Sequence, residues 1–243
     1  MILHPSVRFT ALIWLAAAVP SSGSAVYFSD FQFGVGPEWS SSVTSTTPGG
    51  CVRCTTFLGS FANADVQLAL TGLAAHSDLT ISFDLYVVGS WDGNRNDWAG
   101  PDRWSFGLNG ETPLLSTTFS LYDPTQAYPE DYPAGDYAAR SGAAENNTLG
   151  YLVDPWNGDS VYHLTYTIPH ASDAVQFEFI GWNLQQVSDE SWGLDNVQVQ
   201  ATDLPEPRSI VLVAVPIAMA LLLRTGKLTS SARRSARRRA GPL

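Results

Sequence analysis

The residues best suited to chemistry lie in one polar segment, residues 90–104, with the sequence SWDGNRNDWAGPDRW. Asp92, Asn94, Asp97 and Asp102 offer hard oxygen donors, which suit Ca²⁺ better than softer metals. Their spacing does not fit the calcium loop of EF-hands, which ends in a bidentate glutamate. The segment therefore predicts either a calcium site of another kind or a turn-rich loop whose aspartates cap backbone groups.

A second acidic segment near the end of the domain is the expected partner of this loop. Asp189 and Glu190 precede a predicted strand, and Asp195 lies on it. We expect Asp189 to complete a site with the metal-ligand candidates of the first segment, which are Asp92, Asn94 and Asp102.

Side-chain patterns typical of catalysis are missing from the sequence. A retaining glycosidase needs two carboxylates roughly 5 Å apart, and neither Asp84 nor Glu178 has a second acid two positions away on its strand. The sequence has no phosphate-binding loop, no HExxH motif and no plausible Ser-His-Asp order. We therefore predict a protein that is not an enzyme, with a glycan-active hydrolase as the alternative.

The two cysteines, Cys51 and Cys54, stand close together in the motif CVRC. The chain has no other cysteine, and if it is exported, a disulfide that closes this short loop is the expected state. The alternative is a redox motif, but such motifs open a helix in a βαβ unit, and this one lies among predicted strands.

Aromatic residues are frequent in the irregular segment 122–157. Trp156, Tyr128 and Tyr132 are candidates for a platform on which sugar rings stack. The alternative is that these rings anchor a long loop to the domain.

The local pattern of the domain is β throughout. Seven short runs are rich in β-branched and aromatic residues, mostly with period-two alternation, and no segment shows a helical apolar repeat. The runs are residues 66–70, 79–88, 104–108, 114–119, 162–168, 174–180 and 194–200. Many short strands without helices predict an all-β fold, an antiparallel β-sandwich of the jelly-roll type.

Both ends of the chain predict export. Residues 1–25 combine a basic residue, an apolar core and small residues at the end, which is typical of a signal peptide cleaved before Val26. Residues 209–223 form an uncharged run that is short for a membrane span, and a basic end follows at residues 224–239. The domain between them, residues 26–203, carries 22 acidic residues against four arginines, a net charge of −18. Such a domain repels nucleic acid and is suited to bind divalent cations.

The C-terminal tail, residues 204–243, resembles the PEP-CTERM sorting signal that exosortases recognise. The resemblance rests on Pro205, Glu206 and Pro207, followed in order by the apolar run and the arginine cluster. It implies a transient anchor in the inner membrane, cleavage by an exosortase-type protease, and delivery to the cell surface or extracellular matrix. The alternative is a permanent membrane anchor with a basic flank.

The domain itself resembles the concanavalin-like and laminin-G-like jelly rolls, and also carbohydrate-binding modules. The resemblance rests on the opening DFQ at residues 30–32, the WDGN and GPDRW segments, and the closing WGLDNV. It implies that the first and last strands pair and hold a structural calcium, with Asp195 and Asp30 as ligands. Gln32 departs from the pattern, because related modules often have glutamate there.

The sequence thus predicts an exported, calcium-stabilised β-sandwich with a structural or glycan-binding role and extracellular polysaccharide as a partner. An adhesin that binds protein is a further alternative.

Overall fold

The computed structural model describes residues 23–203, and these residues form eleven β-strands. The strands are β1 (Gly23–Ser29), β2 (Thr44–Thr46), β3 (Thr56–Phe61), β4 (Asp65–Thr71), β5 (His76–Gly89), β6 (Arg103–Leu108), β7 (Leu115–Thr118), β8 (Glu145–Asn146), β9 (Gly158–Pro169), β10 (Ala174–Trp182) and β11 (Glu190–Asp203). All seven runs predicted from the sequence are strands, whereas β1, β2, β3 and β8 were not predicted.

The predicted terminal segments lie outside the described residues, apart from the last three residues of the predicted signal peptide. Gly23, Ser24 and Ala25 begin β1 and pair with the end of β11. Cleavage before Val26 would therefore remove the first three residues of that strand. The described part of the chain contains no helix that could span a membrane.

The strands form two antiparallel sheets. The larger sheet has the order β2-β3-β11-β5-β9-β8, with β1 also paired to β11, and the smaller sheet has the order β4-β10-β6-β7. Most successive strands from β3 to β11 cross from one sheet to the other, which is the order of a jelly-roll-like sandwich. The predicted all-β antiparallel sandwich is confirmed.

The core between the sheets is dominated by aromatic rings. Phe83 of the larger sheet contacts Phe106 and Phe179 of the smaller sheet, with ring centroids 5.1 and 5.2 Å apart. Trp104 and Trp192 meet across the sandwich at 6.2 Å. All five side chains are buried because strand alternation directs them inward.

Strand β11 is the central element of the larger sheet. It pairs with β5 along its length, while its other edge pairs first with β3 and then with β1. The pairing with β5 shifts register between Asp195 and Gln198, and Asn196 has a positive φ of 50°. This bulge lies where β11 changes partner from β3 to β1, so β1 and β11 pair as the resemblance implied.

A loop closed by a disulfide covers part of the outer face of the larger sheet. Cys51 and Cys54 are bonded, and the amides of Val52 and Arg53 both donate to the carbonyl of Thr148 at 2.8 Å. The loop leads into β3, whose Phe57 belongs to a small apolar cluster on this face. The disulfide therefore clips a surface loop to its neighbour.

The disulfide loop also supplies the positive partner of an outward-facing carboxylate. Arg53 Nη1 lies 2.7 Å from Asp84 Oδ2, which also accepts a hydrogen bond from the Asn196 side chain at 2.8 Å. His163, directly opposite on β9, contacts the other oxygen of Asp84. Asp84 thus links β5, β9 and β11 to the loop.

Reducing the disulfide is expected to lower the free energy of unfolding by no more than about 2 kcal/mol, because the loop that it closes is very short. Denaturant unfolding of oxidised and reduced protein measures the difference. A Cys51→Ser, Cys54→Ser double variant serves as the control and should match the reduced protein. Alkylation should find no free thiol before reduction, and two free thiols in native exported protein would contradict the disulfide.

Candidate functional site

Three acidic side chains from distant parts of the chain meet at one end of the sandwich. Asp92 follows β5, Asp102 precedes β6, and Glu190 is the first residue of β11. One carboxylate oxygen from each lies within 4.8 Å of the others, and all three residues are buried. We call these three residues the acidic centre.

Two carboxylates of the acidic centre are each fixed by a backbone amide. The Asp92 N–H donates to Asp102 Oδ2, and the Gln185 N–H donates to Glu190 Oε2 at 2.7 Å. The second oxygens, Asp102 Oδ1 and Glu190 Oε1, are buried and have no hydrogen-bond partner. Each carboxylate therefore has one anchored oxygen and one that is available to a ligand.

Burial and proximity penalise negative charge in the acidic centre. Desolvation, with the charge of Glu190 as the next cause, raises the pKa of Asp102. Desolvation also raises the pKa of Glu190, and the charges of Asp92 and Asp189 add to the shift. Without a cation, the two carboxyl groups bind protons more tightly than in the unfolded chain.

Asp92 connects the acidic centre to an open pocket. Asp92 Oδ1 accepts a hydrogen bond from the Tyr122 hydroxyl and forms an ion pair with Arg95 Nη1 at 3.1 Å. Arg95 also pairs with Asp97 at 2.8 Å. The face of Asp92 turned toward the pocket is therefore neutralised by an arginine.

The pocket has a volume of about 240 Å³ and combines aromatic with polar side chains. Trp98 and Trp156 are 87% and 61% exposed, which is unusual for indole rings. The residues that line it are Ser90, Asp92, Arg95, Trp98, Ala99, Tyr122, Trp156, Gln185 and Asp189. Two exposed apolar faces thus border a group of hydrogen-bonding side chains.

Local contacts hold Trp156 at the pocket. The Asp154 carboxylate accepts hydrogen bonds from the backbone amides of Trp156 and Asn157 at 2.9 and 3.0 Å. The Trp156 ring meets Tyr122 edge to face, with centroids 5.7 Å apart. The sequence-based candidate Trp156 therefore lies in the pocket in a defined position.

The other two aromatic candidates lie elsewhere. Tyr128 packs against Phe119 and Tyr162, each at 5.1 Å between ring centroids, so its ring closes the core. Tyr132 contacts Arg103, whose guanidinium also lies 4.1 Å from the Trp182 ring. The three residues do not form one platform, because Tyr128 packs against the core and Tyr132 lies on the outer face of the smaller sheet.

Asp189 and Asn94 are near the acidic centre but are not part of it. Asp189 lines the pocket and accepts a hydrogen bond from the Ser90 hydroxyl at 2.8 Å. The Asn94 side chain donates to the Gly135 carbonyl at 2.9 Å and accepts from the Thr118 hydroxyl at 2.5 Å. Asn94 thus anchors the long segment after β7, and its oxygen is already engaged.

Asp195 lies at the junction of the first and last strands, where its carboxylate is satisfied by protein donors. It accepts hydrogen bonds from the Tyr86 hydroxyl at 2.8 Å, the Thr55 hydroxyl at 3.0 Å and the Asn196 amide at 2.8 Å. Burial raises the pKa of Asp195. This carboxylate therefore has hydrogen-bond donors without a cation.

Asp30 reaches the same junction only through intermediates. Its Oδ1 accepts from the Gln32 amide at 3.2 Å, and the Gln32 side chain donates to the Thr55 hydroxyl at 2.6 Å. Thr55 in turn donates to Asp195. A calcium ion held by Asp195 and Asp30 stays a prediction.

Glu190, Trp98, Tyr122 and Gln185 belong to the site but were not selected from the sequence. Trp98 lies within the polar segment 90–104, so its neighbourhood was the available signal. Glu190 lies beside the selected Asp189, and only the start of β11 decides which of the two points inward. Tyr122 begins the aromatic-rich segment 122–157, whereas for Gln185 the sequence offers no signal.

No protein-family model matches the chain, and no curated protein is similar to it in sequence. Among solved structures, it is similar to the K3 cleaved adhesin domain of Lys-gingipain from Porphyromonas gingivalis w83, with a TM-score of 0.37 and 15% identity over 73% of this chain and all of that one. A family GH115 4-O-methyl-α-glucuronidase gives a TM-score of 0.36 and 10% identity over 78% of this chain and 19% of that chain. A carbohydrate-binding module, CBM6cm-2 from Cellvibrio mixtus lichenase 5A in complex with cellotriose, has a TM-score of 0.31 and 13% identity over 69% of this chain and 92% of that chain. At these TM-scores the likeness assigns no function to this chain.

Proposed function

We propose that this chain is an exported protein whose β-sandwich binds glycans at the cell surface or in the extracellular matrix. The observation that supports this function is the pocket in which exposed Trp98 and Trp156 border Arg95, Gln185 and Asp189. Exposed aromatic groups beside convergent polar groups are typical of ligand sites on otherwise polar surfaces.

The chemistry of the pocket suits a sugar ring. An indole presents a large apolar face, which matches the apolar face of a pyranose. Fixing a tryptophan side chain against a ligand also costs little conformational entropy. Ser90, Gln185 and Asp189 offer donors and acceptors for hydroxyl groups. Because the domain carries a net charge of −18, neutral glycans are favoured over acidic ones.

Binding is favoured over hydrolysis because the paired carboxyl groups are not presented to the pocket. Asp102 and Glu190 are fully buried and do not line it. Asp92 and Asp189 do line it, but Asp92 is held by Tyr122 and Arg95, and Asp189 accepts a hydrogen bond from Ser90. A glycosidase needs both of its carboxyl groups beside the scissile bond. The hydrolase alternative therefore has less support than the binding function.

A glycan array probed with the full chain tests the function. Wild-type protein is expected to bind a defined set of neutral glycans, and Trp156→Ala or Trp98→Ala should weaken binding about tenfold or more. Trp182→Ala is the matched control, because Trp182 is also exposed but lies on the smaller sheet against Arg103. Its affinity should equal that of the wild type.

Three results would count against this proposal. Wild-type protein that binds no glycan on the array would favour the alternative of an adhesin for protein. Equal loss of binding in Trp182→Ala and Trp156→Ala would place the ligand outside the pocket. Release of reducing ends from a bound glycan would support the hydrolase alternative instead.

We propose that the route to the surface is sorting by an exosortase, which the order of Pro205-Glu206-Pro207, apolar run and basic end supports. The mature extracellular protein should then lack the residues after about Arg208, since the resemblance places cleavage near the motif. Mass spectrometry of the extracellular form measures this, with a variant in which Pro205, Glu206 and Pro207 are replaced by alanine as the control. A mature species that retains the arginines at 233–239 would indicate a permanent anchor.

A further inference from the structure

We propose that the acidic centre, formed by Asp92, Asp102 and Glu190, binds a calcium ion. The ion would connect the segment after β5 to the first residue of β11, directly behind the glycan pocket. The inference does not depend on the identity of the pocket's ligand. It also differs from the predicted site at Asp195 and Asp30, which lies at the junction of β1 and β11.

The separation of the three carboxylates matches the size of the ion. Calcium binds oxygen ligands at about 2.3 to 2.6 Å, so two ligands of one ion lie no more than about 5 Å apart. One oxygen from each residue lies within 4.8 Å of the others. The three side chains are therefore close enough together to supply three of the about six to eight oxygen ligands that calcium takes.

The two orphan oxygens are an independent indication of a ligand. Asp102 Oδ1 and Glu190 Oε1 belong to residues that are 0% exposed, and neither accepts a hydrogen bond from any other residue, which leaves a proton shared between the two carboxyl groups as the alternative to a ligand. A buried carboxylate oxygen without a donor is costly, and such atoms are rare in native proteins. A cation between the two oxygens satisfies both, while the backbone amides keep their anchored partners in place.

The charge of the site also favours a cation. Within residues 23–203, Arg95 is the one basic side chain that forms an ion pair with any of the three carboxylates, and of the three it pairs only with Asp92, while it also pairs with Asp97. When all three carboxylates are ionised, they and Arg95 carry a formal charge of −2, which one Ca²⁺ would offset. The donor set has no sulfur or imidazole, so it suits a hard cation and not zinc or copper.

The ion would stabilise the pocket as well as the fold. Asp92 belongs to both the acidic centre and the pocket, and Trp98 lies between Asp92 and Asp102 in sequence. Fixing both aspartates to Glu190 restricts the loop that carries Trp98. We therefore expect calcium to order the aromatic border of the pocket.

Calcium titration of the metal-stripped full chain tests the proposal. We expect calorimetry to detect a site at Asp92, Asp102 and Glu190, and calcium at about 100 times its dissociation constant to raise the melting temperature by about 5 to 11 °C relative to EDTA. Magnesium should have a smaller effect, because it demands stricter octahedral geometry and keeps more of its water.

Asp102→Asn and Glu190→Gln locate the ion. Each keeps the shape of the side chain and removes one charge, so each should bind one calcium ion fewer than the wild type. In EDTA these variants should melt at or above the wild-type temperature, because the amide carries no charge and can donate a hydrogen bond to the orphan oxygen of the other carboxyl group. If the two carboxylates served only to stabilise the fold, each variant would melt below the wild-type temperature in EDTA. If one variant does not fold, the other and Asp92→Asn provide the same comparison.

Asp195→Asn is the matched control, since Asp195 is also buried but belongs to the β1–β11 junction. It should retain the ion at the acidic centre. The proposal is overturned if EDTA and calcium give the same melting curve for the wild type. It is also overturned if Asp102→Asn and Glu190→Gln both bind as much calcium as the wild type, in which case the two carboxyl groups share protons and not a cation.

Discussion

Replacing Trp104 by alanine is expected to lower the free energy of unfolding by about 3 to 5 kcal/mol, a large part of the stability of such a domain. Trp104 is fully buried and touches Phe179 of its own sheet. It also touches Phe83 and Trp192 of the other sheet. Removing the indole leaves a cavity bordered by rigid rings that cannot collapse to fill it.

Trp104→Phe is the control for the loss of Trp104. The Trp104 Nε1 atom is buried without a hydrogen-bond partner, so phenylalanine removes an unsatisfied donor while it keeps an aromatic ring in the core. Denaturant unfolding should show a smaller loss for Trp104→Phe than for Trp104→Ala. Equal losses would mean that the indole N–H has a partner and that the volume of the ring is secondary.

Strand alternation explains why seven of the eleven strands could be predicted. In β10, the residues Val175, Phe177 and Phe179 point inward, and the intervening residues point outward. That period is visible without any knowledge of the partner strand. The same property placed the domain in the all-β class and excluded helical folds.

Strand β3 shows why the remaining strands were not predicted. Its Gly59 interrupts the pattern, and a Cβ atom there would lie 2.9 Å from the Cα of Gly193. The glycine has a positive φ of 144° and is required because two backbones approach closely. Such a requirement arises only when β3 lies against β11, so it cannot be derived from the local sequence. Strand β1 could not be predicted because its first residues also fit the cleavage site of a signal peptide.

The candidate site could be predicted as a region but not as a set of ligands. The polar segment 90–104 and the acids before β11 were identified as partners, and the structure brings them together through Asp92, Asp102 and Glu190. The choice of Glu190 over Asp189 depends on the register of β11, which pairs Glu190 with Gly89 at the end of β5. A shift of one residue would exchange the two acids, and nothing in the local pattern fixes it.

The role of an aromatic residue is hard to predict from the sequence, because an aromatic ring can either pack in the core or stack on a ligand. Trp156 and Tyr128 come from the same irregular segment and have similar polar neighbours in sequence. The structure exposes the first and packs the second between Phe119 and Tyr162. The difference comes from long-range packing of the segment on β9, which the sequence does not reveal.

In metal-free protein, stability is expected to fall as the pH rises between about 5 and about 9, which is opposite in sign to ordinary acid denaturation. Burial raises the pKa of both Asp102 and Glu190. Between the ordinary carboxyl pKa and the raised values, the native state therefore binds more protons than the unfolded state. The stability that this provides is fully present below the ordinary pKa and is lost as the pH rises through the raised values.

The charged groups that act on this pair are Asp92 and Asp189, and Asp92 is itself in contact with Arg95 and Tyr122. Thermal melts in EDTA across this pH range measure the slope, and the Asp102→Asn, Glu190→Gln double variant isolates it from the other carboxylates. The wild type should lose at least about 1 kcal/mol more than the double variant across the range, because a change of one unit in a pKa corresponds to about 1.4 kcal/mol. Saturating calcium should flatten the wild-type slope, since a bound cation keeps both carboxylates ionised. Parallel slopes for the wild type and the double variant in EDTA would show that the two carboxyl groups titrate normally and that their burial is relieved by solvent.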